Sequence, residues 1–165
     1  TFGIDFGPVH LAVVKFAQEP GTERVFGYEE YLAGRKTAKE HATDLLASEP
    51  GKVVAVGGIA AEDQWRREFG VAGLPIVEPP ISDFDVGVSR LYAMFKTGQL
   101  VLFDDLLKLK TELQRYRRKR DSLGTVTKEV ENKHAFHLTD AARYMASRLY
   151  KAAKPRVKVI GLDHD

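Results

Sequence analysis

The first 33 residues leave this chain few ways to fold. Residues 1–7 and 10–17 are apolar or alternating runs separated by Gly7-Pro8, and after the breaker Pro20-Gly21 the segment 22–33 is rich in aromatic and β-branched residues. Three strands joined by connections this short must run antiparallel, since a parallel pair needs a crossover of about a dozen residues or more. The texture then changes. Thr37 to Ser48 reads as a helix with Thr37 as N-cap and Glu40 three positions on, stopped by Pro50-Gly51. A strand (52–56), a helix (60–69), a short strand (75–78), a helix (85–96), a strand (99–103) and a helix from 106 to about 120 follow. That last helix places Leu106, Leu109, Leu113 and Tyr116 on one face. A loop at 121–132 leads into a final helix from about 134 to 153. Antiparallel strands followed by alternating strands and helices predict an α/β fold, a mixed sheet flanked by helices.

Composition narrows the class. With 165 residues the chain fits one domain, 1–165, without internal repeats or low-complexity linkers. It is 44% hydrophobic and 29% charged, and no apolar run approaches the roughly 18 residues needed to span a bilayer. A soluble domain with no membrane partner is expected, and no signal peptide, because residue 1 leads directly into a strand. The absence of cysteine excludes disulfides and thiolate metal sites. A net charge of +2 is too small to imply a polyanionic partner by itself.

Gly3-Ile4-Asp5-Phe6-Gly7 puts an acid inside an apolar strand. Asp5 is either a solvated residue at a strand end or a holder of something positive. The hairpin resembles the phosphate loop of the actin, Hsp70 and sugar-kinase ATPases, but two such lobes need about double this length. It also resembles the first strand of ribonuclease H-like nucleases, which need a single lobe and carry a metal-binding acid there.

The far end of the chain discriminates. His137-Leu138-Thr139-Asp140-Ala141-Ala142-Arg143-Tyr144 resembles the "HAxDAxRY" helix in the C-terminal nuclease domain of tailed-bacteriophage large terminase subunits. Gly73 to Val77, Val86 to Leu91 with the strand Leu100 to Phe103, and Leu113-Gln114-Arg115-Tyr116-Arg117 resemble further pieces of that domain in the same order. The resemblance implies a ribonuclease H-like fold and a metal-dependent endonuclease that cuts concatemeric double-stranded DNA with Mg²⁺ or Mn²⁺. It implies as partners a preceding ATPase domain, a portal protein and a small terminase subunit, and as location the host cytoplasm. No G-x-x-x-x-G-K-[ST] loop occurs in this chain, so the motor is expected on a preceding segment.

In-line cutting of a phosphodiester suits two hard cations about 3.5–4 Å apart, held by carboxylates. By resemblance, Asp5 and Asp140 supply two of those acids. The third is expected at the end of the strand Lys52 to Val56, where this chain reads Gly57-Gly58. The register assigns the acid's position to Gly58, with Gly57 the second choice; the alternative donors are Glu62 and Asp63, about a turn further on. This loss leaves activity in question. The residues also admit plainer readings. Asp140 lies opposite the stripe Leu138, Ala142, Met145 and Leu149, as a solvated position would, yet it shares its side with Phe136 and Tyr144. His134 and His137 read as loop or capping residues, with His137 near the acids or the DNA by its place in the motif. Asp83 and Asp85 read as a turn and a helix N-cap.

Arg115, Arg117, Arg118, Lys119 and Arg120 read as a helix end that suits the macrodipole, but five cations exceed what a cap needs. With Arg35, Lys36 and Lys39 they are candidates for phosphate contacts that position a duplex without reading its sequence. A Holliday-junction resolvase or transposase-like nuclease is the alternative within the fold. A non-catalytic DNA-binding or docking module on a decayed nuclease is the alternative outside it.

Overall fold

The structure, a computed structural model, describes residues 1–7 and 9–150. The antiparallel start is present as β1 (Phe2–Phe6), β2 (His10–Gln18) and β3 (Val25–Gly34). Three short parallel strands extend it: β4 (Ala55–Gly57) beside β1, β5 (Ile76–Val77) beside β4, and β6 (Leu100–Leu102) beside β3. The six-stranded order is β5-β4-β1-β2-β3-β6, the mixed ribonuclease H-like sheet expected, with parallel strands on both edges. β4 is shorter than its apolar run, although the carbonyl of Val54 still accepts from the Phe2 amide at 2.9 Å.

Both faces of the sheet are covered. Along β2 the side chains alternate, Leu11 and Val13 to one face, Ala12, Val14 and Phe16 to the other. The first face packs on α1 (Ala38–Leu46) and α2 (Asp63–Val71) through Leu45 and Phe69, and the second on α3 (Phe84–Lys96), α4 (Leu107–Arg115) and α5 (His137–Leu149) through Leu91, Leu109, Leu138 and Met145. Lys15 alone breaks the apolar pattern. Its fully buried ammonium is neutralised by Glu29 at 2.9 Å and Glu49 at 3.0 Å, the pairing that a buried charge requires.

α5 lies directly against β1 because Gly3 has no side chain: a Cβ there would run into the carbonyl of Ala141. Small residues at 141, 142 and 146 complete this close approach. Sequence-distant ends of the chain are thereby brought together.

Three expectations are corrected. The helix predicted to reach Arg120 ends at Arg115, and part of the loop predicted at 121–132 is a strand: β7 (Arg118–Arg120) and β8 (Val126–Val130) form a separate antiparallel ribbon. Tyr116 turns extended and sets its ring edge-on to Phe136, centroids 5.1 Å apart. The ribbon closes through a turn in which Asp121 Oδ1 accepts from the amides of Leu123 and Thr125 at 2.9 and 2.8 Å. The final helix starts at His137, after a 3-10 turn at Lys133–Ala135, instead of at 134. Its predicted last residues, 151–153, lie outside the described residues.

Candidate active site

Asp5 is at the outward end of β1, and α5 carries His137 and Asp140 past it. His137 Nδ1 lies 2.8 Å from Asp5 Oδ2. With Asp5 ionised and the imidazole neutral, that nitrogen donates and Nε2 is left as the free acceptor of the ring. Asp140 accepts from the Lys133 ammonium on one oxygen and from Arg143 Nε at 3.2 Å on the other. It is 6% exposed, which overturns its reading as a solvated position. Both sides of α5 pack, since Phe136 and Tyr144 are buried as well as Leu138, Ala142 and Met145.

The electrostatics follow from this crowding. Burial pushes the Asp5 carboxyl above the usual range and the negative charge of Asp140 adds to it, while the hydrogen bond and charge of His137, with Lys133, act against the rise. Burial likewise pushes Tyr144 up to about 12. Glu112, raised by its own burial, accepts from the Thr139 amide at 2.8 Å and so ties α4 to the first turn of α5.

At the end of β4, where the resemblance implies a third acid, the chain has Gly57 and Gly58. Gly57 pairs with Ile4 and Gly58 follows beside Asp5's strand, at φ +74°, a left-handed conformation that favours glycine. A Cβ on Gly58 would come within 2.8 Å of the Phe6 ring and 3.0 Å of Arg66 Nη1. A cation therefore stands at this strand end. The two alternative donors are engaged elsewhere: Glu62 accepts from the Ile59 amide at 2.7 Å, and Asp63 pairs with Arg67 at 2.6 Å and more loosely with Arg66 at 3.7 Å.

No protein-family model and no curated protein sequence matches the chain. Solved structures do. The nuclease domain of the large terminase of bacteriophage SPP1, with bound Mn, superposes with a TM-score of 0.68 at 18% identity over 87% of this chain and 82% of that one. The nuclease domain of the P22 large terminase gives 0.69 at 17% identity, over 90% and 80%. The large terminase of a thermophilic bacteriophage, in complex with ADP, gives 0.75 at 14% identity, over 89% of this chain and 38% of that one. This chain has the fold of a large terminase nuclease domain.

On this terminase nuclease fold, the donor set bears on what cation the site takes. Asp5, Asp140 and the imidazole of His137 are oxygen and nitrogen donors of the kind that divalent cations accept, and the Lys133 ammonium already sits on one of them as a positive stand-in. Among the described residues no group of three His, Cys, Asp or Glu is arranged to hold a metal ion. Asp5 and Asp140 are the carboxylates a single divalent cation would take, and it would have to displace Lys133 from Asp140. They do not fit a pair of ions, because Arg66 occupies the surroundings of the third carboxylate.

The basic residues are placed differently from their helical reading. Only Arg115 remains on α4; Arg117 precedes the ribbon and Arg118, Lys119 and Arg120 are on β7. Arg117 pairs with Glu131 at 2.5 Å, Lys119 with Glu129 at 3.2 Å and Arg118 with Asp85, while Arg120 donates to the Gly124 carbonyl at 2.8 Å. Exposed pairs of this kind contribute about 0–1 kcal/mol, so a phosphate can replace the carboxylate. The N-cap of α3 is Asp83, which accepts from the Val86 amide at 2.8 Å, and not Asp85, which lies in the first turn and pairs with Arg118. Lys36 pairs with Asp44, and Arg35 stands exposed at the end of β3. Sequence reasoning missed Lys133, Arg143 and Arg66. The i,i+3 spacing of Asp140 and Arg143 was the available signal for one of them; nothing local marks the others.

Proposed function

We propose that the chain is the nuclease domain of the large subunit of a viral DNA-packaging motor, a metal-dependent endonuclease that cuts concatemeric double-stranded DNA with little sequence preference. The observation that carries this reading is the gathering of Asp5, His137 and Asp140 at the end of β1, with Asp5 and His137 132 positions apart in sequence, on a fold shared with terminase nucleases. A divalent cation, Mn²⁺ or Mg²⁺, supplies charge neutralisation at the scissile phosphate when bound. Asp5 and Asp140 would hold that single ion. Asp5 fixes the His137 ring so that Nε2 is free as a proton acceptor. Arg143 orients Asp140, and Lys133, once displaced, is left to meet a phosphate. Arg117, Arg118, Lys119 and Arg120 form the phosphate-contacting edge, with Arg115 and Arg35 as further cations. In the cell this reading sets the chain in the host cytoplasm, joined to an ATPase domain and working with a portal protein and a small subunit.

A non-catalytic DNA-binding module is the second reading, favoured by Arg66 beside the third acid's position and by the two cations that already satisfy Asp140. Nicking of supercoiled plasmid by the purified chain with Mn²⁺ separates the two. Cutting that EDTA abolishes supports the endonuclease. Binding of the plasmid without cutting over a wide range of Mn²⁺ leaves the module.

A further inference from the structure

Beyond the acids, a cavity of about 170 Å³ opens at the same end of the sheet, lined by Phe6, Gly7, His10, Arg35, Lys36 and Trp65 among others. We propose that this cavity takes one unpaired base of a DNA strand, stacked on Trp65, with the adjoining phosphate on Arg35; the proposal rests on the DNA-nuclease reading and names a subsite of it.

Three observations converge on that occupant. The first is the aromatic wall. Trp65 stacks on Phe6 with centroids 6.3 Å apart and planes at 17°, and Phe6 packs in turn on the buried Phe69. The stack is held from below, yet Trp65 remains 46% exposed. A supported, half-exposed indole is the surface on which bases of any sequence stack.

The second is charge. Lys36 is neutralised by Asp44, and of the acids within three positions of Trp65, Glu62 accepts from the Ile59 amide, Asp63 pairs with Arg66 and Arg67, and Glu68 accepts from the Gln64 side chain. Arg35 makes no ion pair among the described residues, and the His10 imidazole stands at the rim. The cavity is thus suited to an anion beside a planar ring. It falls below the roughly 300–1,000 Å³ of sites for larger ligands, which limits the occupant to a single ring system.

The third is position. Gly7 lines the cavity, and a Cβ on it would lie 3.0 Å from His137 Cε1. The base subsite and the Asp5–His137 pair therefore share one wall. A strand led over the acids has its next unpaired base within reach of Trp65, so the subsite selects frayed or nicked ends over intact duplex.

Trp65 is the only tryptophan in the chain, so its fluorescence reports this site alone. The experiment titrates the whole chain in EDTA, where nothing is cut, with an oligothymidylate and with a blunt duplex of equal length, reading tryptophan quenching and the anisotropy of a labelled oligonucleotide. Oligothymidylate should quench Trp65 while the duplex leaves it nearly unchanged. Trp65→Ala should weaken oligothymidylate binding on the order of tenfold, and Trp65→Phe, which keeps a ring, should stay much closer to the parent. Binding by anisotropy without quenching, or equal losses for both DNA forms in Trp65→Ala, overturns the subsite and leaves the nuclease reading standing. If neither DNA form binds, both fall together.

Discussion

His137 Nδ1 and Asp5 Oδ2 meet at 2.8 Å across 132 positions of sequence, and this meeting exists because α5 lies on β1 where Gly3 leaves room for the Ala141 carbonyl. A side chain at position 3 must push the helix away. Gly3→Ala is therefore expected to destabilise the chain by about 3 kcal/mol, the upper range for overpacking a core. Chemical denaturation measures this, and an unchanged midpoint would show that α5 shifts freely.

Asp140 is held by a buried guanidinium and by Lys133. Replacing it with Asn keeps an acceptor for Arg143 but removes the charge, which should cost about 2 kcal/mol, within the range for hydrogen bonds to charged groups. The melting temperature should fall by several degrees. A solvated residue at this position would leave it unmoved.

The raised Asp5 carboxyl gives stability a pH dependence of definite sign. Between the ordinary Asp range and the raised folded value, the folded chain holds a proton that the unfolded chain has released. Stability then falls as pH rises through that window, since ionising Asp5 means charging a buried group beside Asp140. Asp5→Asn should flatten this part of the stability profile measured by urea melts from acid to neutral pH. An unaltered slope contradicts the assignment.

The sheet is legible in the sequence because strand alternation and breakers are local. The same holds for the capping box at Thr37 and Glu40, which is present as expected. The hairpin of β7 and β8 is not legible, since the apolar stripe of α4 runs on through Tyr116 and hides the point where Tyr116 leaves the helix for Phe136. The burial of Asp140 is ambiguous for a related reason: periodicity identifies one covered face of a helix, and α5 is covered on both. In the sequence, Gly58 is simply a missing acid. Its left-handed backbone and the approach of Arg66 are tertiary facts, so restoring the acid is not a neutral change.

Gly58→Asp should accordingly lower stability by about 1–2 kcal/mol, the penalty for a side chain in the left-handed region, and the new carboxylate should pair with Arg66. Little gain in plasmid nicking is expected from it alone. A large gain would mean that Arg66 yields and that the site accepts a second ion.

Phosphate binding by the ribbon is testable by salt. Arg117→Ala with Lys119→Ala breaks only exposed pairs and should leave folding within about 1 kcal/mol of the parent. The slope of log binding constant against log salt for duplex DNA should flatten by about 0.9 for each phosphate no longer met, equally for unrelated sequences. An unchanged slope returns these cations to pairing within the ribbon.

Calorimetric titration with Mn²⁺ tests most directly whether Asp5 and Asp140 form a cation centre. One ion per chain should bind, with affinity falling sharply in both Asp5→Asn and Asp140→Asn variants that still show a cooperative thermal transition. No detectable binding by the parent chain, or binding that both variants retain, would contradict a cation centre at this end of the sheet.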